Sequence, residues 1–502
     1  MAMIELNGDK LSFAELASLI AGAKASIAPA GLERMRASRE VIERAVRDQI
    51  PVYGVTTGLG SNVSQTLSSD ALSTFSLQTL RGRAHSLGEP LPDRVVRTAM
   101  LLRLHGLLGG ASGASISCAE VLCQSCNARL IPIVGETASI GGGDLVWGAT
   151  MGLALAGEGR MRNVSGEIQD ARECLELAGI EALQLGPRDG LAMANHGSFS
   201  TGLAALGILD AHVVLANALS AAALSMLGFG ANVSPLREDV LALCERPGET
   251  RAAEGLRAHL AGSAIESEAG ARRLQDPLSI RNIVQIHGAV FSMLQFATHI
   301  VQCEINAASD NPVVLTETDD IVSSGGYHVT QLAMVIELLA RSLVHLTSAQ
   351  LARIGKLLAT RFTDLPQYLA DPKSGSNGFA PVLKPAEALY AEIVQLATPA
   401  PVWPSISADG VEDNLNNAPL AGKSLLALIG KWRHLTAIEL AVAAQAVELR
   451  ENWPSGPVLT QVINGVRAHV QPLGEDRPLR DEINSLAEAL RDPLQGLTQS
   501  QA

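Results

Sequence analysis

Residues 328–362 read HVTQLAMVIELLARSLVHLTSAQLARIGKLLATRF, a periodic run with one glycine and no proline. Helical patterns longer than about 25 residues in a soluble protein are usually buried by other helices or other subunits, so this stretch predicts a bundle. Residues 283–307 and 411–451 repeat the pattern with few breakers, and an Ala/Leu-rich helix is expected to end near residue 228. Composition agrees: hydrophobic residues make up 47% of the chain but aromatics only 3%, so the core is Ala, Leu, Val and Ile. Such a core favours closely packed helices over a β-sandwich. The expectation is an all-α, long-helix bundle with a small mixed N-terminal part. With neither repeats nor a low-complexity linker, the chain divides coarsely into 1–200, carrying the loops, and 201–502, carrying the bundle and the C-terminal helices.

The formal charge of −13 leaves no basic stripe for nucleic acid. The first residues, Met1 to Lys10, lack the basic and apolar regions of a signal peptide, which predicts a cytoplasmic protein. Asp210, His212 and Asn217 interrupt the most apolar run, 201–229, so a core helix is expected there rather than a membrane span. Cys118, Cys123 and Cys126 sit among Ala, Leu and Val at helical spacing and read as buried thiols, not metal ligands.

Polar punctuation falls at few places. Met3–Leu6 reads as a strand, and Ser12-Phe13-Ala14-Glu15 as a capping box. Helices are expected over 31–48, 70–86 and 92–108, and Leu145–Leu155 is an apolar segment. Val52 to Ser61 is a glycine-rich loop carrying Tyr53, either a connector or a ligand loop. Ile140-Gly141-Gly142-Gly143-Asp144 lets backbone approach a ligand closely before the next helix. Asn195 and His196 break an apolar stretch, where polar groups either cap a helix or act. Arg281 beside an apolar run is either a structural ion-pair partner or an anchor for a carboxylate.

Taken together, these segments resemble the histidine and phenylalanine ammonia-lyase family. The resemblance rests on Tyr53-Gly54-Val55-Thr56-Thr57-Gly58-Leu59-Gly60, Gly190-Leu191-Ala192 with Asn195, and Gln275-Asp276 with Ser279 and Arg281. Ser309-Asp310-Asn311-Pro312, Gly325-Gly326-Tyr327-His328 and Glu412 follow in the same order. It implies a mostly helical homotetramer with active sites assembled from three subunits. One departure concerns the chemistry. The family's Ala-Ser-Gly, which cyclises to a methylidene-imidazolone electrophile, is here Gly141-Gly142-Gly143 before Asp144-Leu145. Cyclisation proceeds through dehydroalanine, and Gly142 has no β-carbon, so no such cofactor is expected. Ala111-Ser112-Gly113 spells the right tripeptide where the family has an ordinary helix start, with no Asp-Leu after it. Arg83 replaces a histidine of the histidine-specific members, Leu278 replaces a tyrosine, and Lys384 falls on a pocket position.

Without the electrophile, a base would remove an N–H proton of a primary ammonium before the less acidic β-C–H. A quaternary trimethylammonium has no N–H and leaves as a neutral amine. The resemblance therefore points to the ergothionase branch, which splits ergothioneine into trimethylamine and thiourocanate. On that resemblance Tyr53 is the base, its pKa needing to fall from ~10. Arg281 clamps the carboxylate with Asn195 adding a hydrogen bond, and Lys384 and Glu412 hold the thioimidazole. The plainer readings are a solvated helix lysine and a buried ion pair. Gly142 leaves volume where the prosthetic ring would stand. Trp147, Tyr327 and Phe379 are candidates for cation–π contact with the trimethylammonium, set against plain packing for each. The expected partner is a small amino-acid betaine. The rivals are another imidazole or aryl betaine, a histidine ammonia-lyase using the second tripeptide, and a catalytically silent scaffold. The serine-loop signature of the fumarase and argininosuccinate lyases is absent from the sequence.

Overall fold

A computed structural model describes residues 3–267 and 270–494, and helix dominates it. The chain forms two compact units. The first comprises Met1–Leu206, His299–Met334 and Ala400–Lys423, and the second Gly207–Thr298, Val335–Pro399 and Ser424–Ala502. The later segments 299–334 and 400–423 pack with the N-terminal part, and four of the five boundaries fall inside long helices.

In the first unit, strand Met3–Leu6 pairs in parallel with Lys24–Ile27. Ser12 caps helix Phe13–Ile20 through the expected reciprocal bonds with Glu15, which satisfies two otherwise orphaned amides. Helix Pro29–Arg47 opens on proline, whose fixed φ suits a first turn. Helix Asp93–Leu108 is buried nearly all round, Arg103 and His105 included. Short ribbons, including Leu87–Pro90 with Gly135–Thr137 and the hairpin Val313–Leu315 with Asp320–Val322, supply the small mixed part.

The second unit is helical. Its core carries one buried polar network: Arg353 grips Glu439 at 2.5 and 3.0 Å, Ser225 and Gln350 donate to the same carboxylate, and Trp432 donates to Gln350. Every buried charge there has a counter-charge and hydrogen bonds, which is what makes its burial tolerable. Two helical stretches, Asp189–Phe229 and Thr330–Leu357, are long and apolar enough to cross a membrane, yet 78% and 61% of their most apolar windows lie buried inside the protein. Asn217, in the first of them, spends its amide on Leu490 and Asp492 carbonyls and accepts from the Leu494 amide.

The three clustered cysteines are buried along helix Ile116–Asn127, and no group of metal-binding side chains forms among the described residues. The expected 411–451 helix starts only at Ala418. Asn416 turns its side chain onto the Ala418 amide and Asn417 adopts φ +50°, so local side-chain bonding outcompetes helix before that point.

Candidate active site

Tyr53 sits on a tight knot of backbone. The amides of Val55, Thr56 and Thr57 all converge on the Val52 carbonyl, and Thr56 Oγ1 bridges the Val52 amide to the Ile50 carbonyl. Gly54 has φ +66° and lies against Leu191 and Leu59 side chains, leaving no place for a β-carbon. The loop then turns back so that the Gly60 amide donates to the Tyr53 hydroxyl at 3.1 Å. This contact fixes the position of the phenol oxygen.

The hydroxyl faces a cavity of about 820 Å³ within the first unit. Its lining unites Tyr53, Arg83, Gly142, Asn195, Tyr327 and Glu412. These six come from six separated stretches and include most of the residues expected from sequence. Asn195 ends helix Asp189–Ala194, and its buried Oδ1 has no hydrogen-bond partner among the described residues. A buried acceptor without a partner fits a site waiting for a donor.

Burial raises the Glu412 carboxyl above its ordinary value, and the Arg83 charge partly offsets this. Burial also raises the Tyr327 phenol, with Tyr53 and Glu412 adding to the shift. Glu412 is therefore deprotonated, and able to accept from a ring N–H, only above a higher pH than an ordinary glutamate. Glu412→Gln is expected to weaken substrate binding about tenfold, one charge-assisted hydrogen bond, and to erase an acidic limb in kcat/KM against pH. A limb that survives the substitution belongs to another group.

The glycine loop is fixed from the opposite side. Asn416 donates to the Gly141 carbonyl at 2.7 Å, and the Asn417 amide to the Ile140 carbonyl at 3.2 Å. Gly141 and Gly143 have φ +93° and +75°, with Asn416 and Asn195 lying where their β-carbons would stand. Gly142 is different: a β-carbon there would meet only the Leu415 methyl, at 3.1 Å. An imidazolone formed from the chain therefore does not fit these residues, since the central position offers no β-carbon and the first cannot hold the family's alanine unchanged. Gly141→Ala is expected to cost about 1–3 kcal/mol through backbone strain and to displace Asn416, lowering Tm and raising KM together. Beyond Gly143, Asp144 accepts from the Ser139 hydroxyl and from both the amide and hydroxyl of Ser200, and burial pushes its pKa up to about 6.

The second tripeptide lies elsewhere. Gly113 is packed against Ile42 and Val314, the Ala111 carbonyl accepts from the Val314 amide, and none of the three lines the cavity. Of the three aromatic candidates, only Tyr327 lines it. Trp147 is fully buried, donates to the Gly135 carbonyl and lies near Phe199, while Phe379 is fully buried in the second unit. Arg281, half-buried, and Lys384, exposed, also belong to the second unit and do not line this cavity.

Residues not singled out as site candidates also line it, among them Asn311, Ser323, His328 and Asn414. His328 Nε2 lies 3.0 Å from the Asn414 carbonyl and Nδ1 lies 2.7 Å from Thr330 Oγ1. A carbonyl only accepts, so the neutral ring carries its proton on Nε2. Asn311 and His328 fall inside quoted motifs; Ser323 and Asn414 lie in loops with no periodic signal.

Comparison with known proteins bears on this geometry. A family model described as aromatic amino acid lyase matches residues 11–468. Histidine ammonia-lyase of Symbiobacterium thermophilum is 32% identical, the match covering 98% of this chain and 97% of that one. The Paracidovorax citrulli histidine ammonia-lyase is 31% identical over 97% and 95% of the two chains. Among solved structures, ergothionase from Treponema denticola, in complex with desmethyl-ergothioneine sulfonic acid, superposes with a TM-score of 0.93 at 27% identity, covering 97% of this chain and 98% of that one. Histidine ammonia-lyase from Trypanosoma cruzi gives 0.90 at 26% identity, covering 98% and 93%.

Proposed function

We propose that this chain, which belongs to the aromatic amino acid lyase family, is a carbon–nitrogen lyase that works without the imidazolone, releasing trimethylamine from ergothioneine to give thiourocanate. The observation that carries the reading is Gly142: the electrophile's place is empty of a β-carbon, while the surrounding cavity keeps Tyr53, Asn195 and Glu412. A dead relative has no need of a tyrosine hydroxyl held by the Gly60 amide and aimed into the cavity. The likeness to an ergothionase supports the choice of substrate, and the histidine ammonia-lyase relatives support the scaffold.

In the mechanism, the Tyr53 phenolate removes the β-proton and the C–H electrons form the Cα=Cβ bond. The C–N electrons leave with the nitrogen, so a neutral trimethylamine departs and thiourocanate keeps the carboxylate. Glu412 receives a ring N–H, and a ring sulfur near the Lys384 ammonium takes up charge as the β-carbanion develops. Arg281 holds the carboxylate as a bidentate donor, with Asn195 alongside. The reading includes a cytoplasmic homotetramer in which Arg281 and Lys384 of other copies complete each cavity.

The test mixes the purified protein with ergothioneine and follows trimethylamine and a new conjugated absorbance, with histidine and histidine betaine in parallel. The expected result is release from ergothioneine and none of ammonia from histidine. An intact mass lower by two waters, together with turnover of histidine, would overturn it. The second reading is a related imidazole or aryl betaine, favoured if histidine betaine is the better substrate.

A further inference from the structure

The segment from Leu274 to Arg281 is unfinished within one chain. Leu274 and Leu278 are 95% and 60% exposed, although both are large and apolar. Asp276 Oδ1 and Ser279 Oγ are buried with no hydrogen-bond partner. Arg281 is half-buried within the field of Asp276, yet its guanidinium makes no ion pair or hydrogen bond among the described residues. Unpaired buried polar groups, exposed leucines and an idle guanidinium are each unfavourable, and together they mark a surface completed by something else.

We infer that Leu278 reads the methylated nitrogen of the substrate while Arg281, one turn along the same short helix, holds its carboxylate. The inference rests on the betaine-lyase reading above and adds a specificity-determining residue to it. Helix Leu278–Arg281 places the two side chains at i and i+3, on one face with Cβ atoms about 5–6 Å apart. In an amino-acid betaine the carboxylate and the quaternary nitrogen hang from one carbon, so their readers must be neighbours at this spacing. Leu278 has no acceptor. A primary ammonium brought against it loses water from N–H donors and gains no partner, whereas three methyl groups lose nothing polar. The same leucine thus favours the betaine and penalises the free amine.

The experiment uses the full-length protein and two probes, ergothioneine as substrate and unmethylated 2-thiohistidine as inhibitor. Leu278→Asn, which supplies an acceptor, is expected to lower kcat/KM for ergothioneine about tenfold and tighten 2-thiohistidine inhibition several-fold. Leu278→Met, apolar and similar in size, is expected to restore the wild-type ratio. Arg281→Lys is expected to weaken both probes together, since both carry the carboxylate. A Leu278→Asn protein with the wild-type ratio of the two constants overturns the inference and leaves the lyase reading intact. Wild-type protein that releases no trimethylamine from ergothioneine overturns both.

Discussion

Tyr53→Phe is expected to lower elimination by a factor on the order of 10²–10⁴, the usual worth of a positioned base, while ergothioneine still binds. The Gly60 amide holds the phenol oxygen in place at 3.1 Å. Removing the oxygen leaves the ring's packing and the knot around the Val52 carbonyl in place. The freed Gly60 amide is half-exposed and can turn to water, so the melting temperature is expected to change little. Stopped turnover with unchanged affinity for ergothioneine, measured by calorimetry, supports the role. Undiminished trimethylamine release removes Tyr53 from it.

Asp310→Ala is expected to cost about 3–5 kcal/mol of stability, read as a lower urea midpoint with unchanged slope. Asp310 is buried between two arginines that are buried as well: Arg103 grips both its oxygens at 2.9 and 3.1 Å, and Arg188 reaches it at 3.2 Å. Without the carboxylate the two buried guanidiniums lose the ion-pair partner they share. Burial alone would raise the Asp310 carboxyl, but Arg103 and Arg188 override it and leave it below the ordinary range. A depressed folded-state value means that this contribution is complete above the unfolded pKa and fades only as pH falls through the lower one. The cluster also reaches the site. Arg188 donates to the Asn311 and Pro312 carbonyls and to Ser112, and it directly precedes the helix that ends at Asn195. Loss of activity is therefore expected alongside loss of stability, and Asp310→Asn, which keeps an acceptor, is expected to fall between.

Much of this was legible in the sequence, for identifiable reasons. Long runs without breakers announce helices, and Leu145–Leu155 begins and ends where its apolar pattern does. Tyr53 and Asn195 stand out as polar groups beside glycines and apolar helices, while Arg83, Tyr327 and Glu412 stand out through the family resemblance, and the cavity gathers all five. Other features have no local signature. Nothing near Arg103 says that its partner lies at Asp310, because the pairing depends on how distant segments pack. Glu412 sits in a loop rather than in the helix expected over it, since Asn416 after it bonds the Ala418 amide and Asn417 takes a positive φ. Arg281 and Lys384 matched a pattern along the chain, whereas the cavity is a property of one unit in space.

The Tyr53 loop touches a stretch made far later in synthesis: a β-carbon on Gly60 would lie 3.5 Å from that of Ala408, in the strained turn before Glu412. The glycine loop likewise leans on Asn416 and Asn417. A nascent polypeptide emerging from the ribosome thus carries its base long before it has the wall that faces it. Chains stopped short of residue 400 should fold locally yet remain chemically silent, so that the lyase switches on only when translation is almost done.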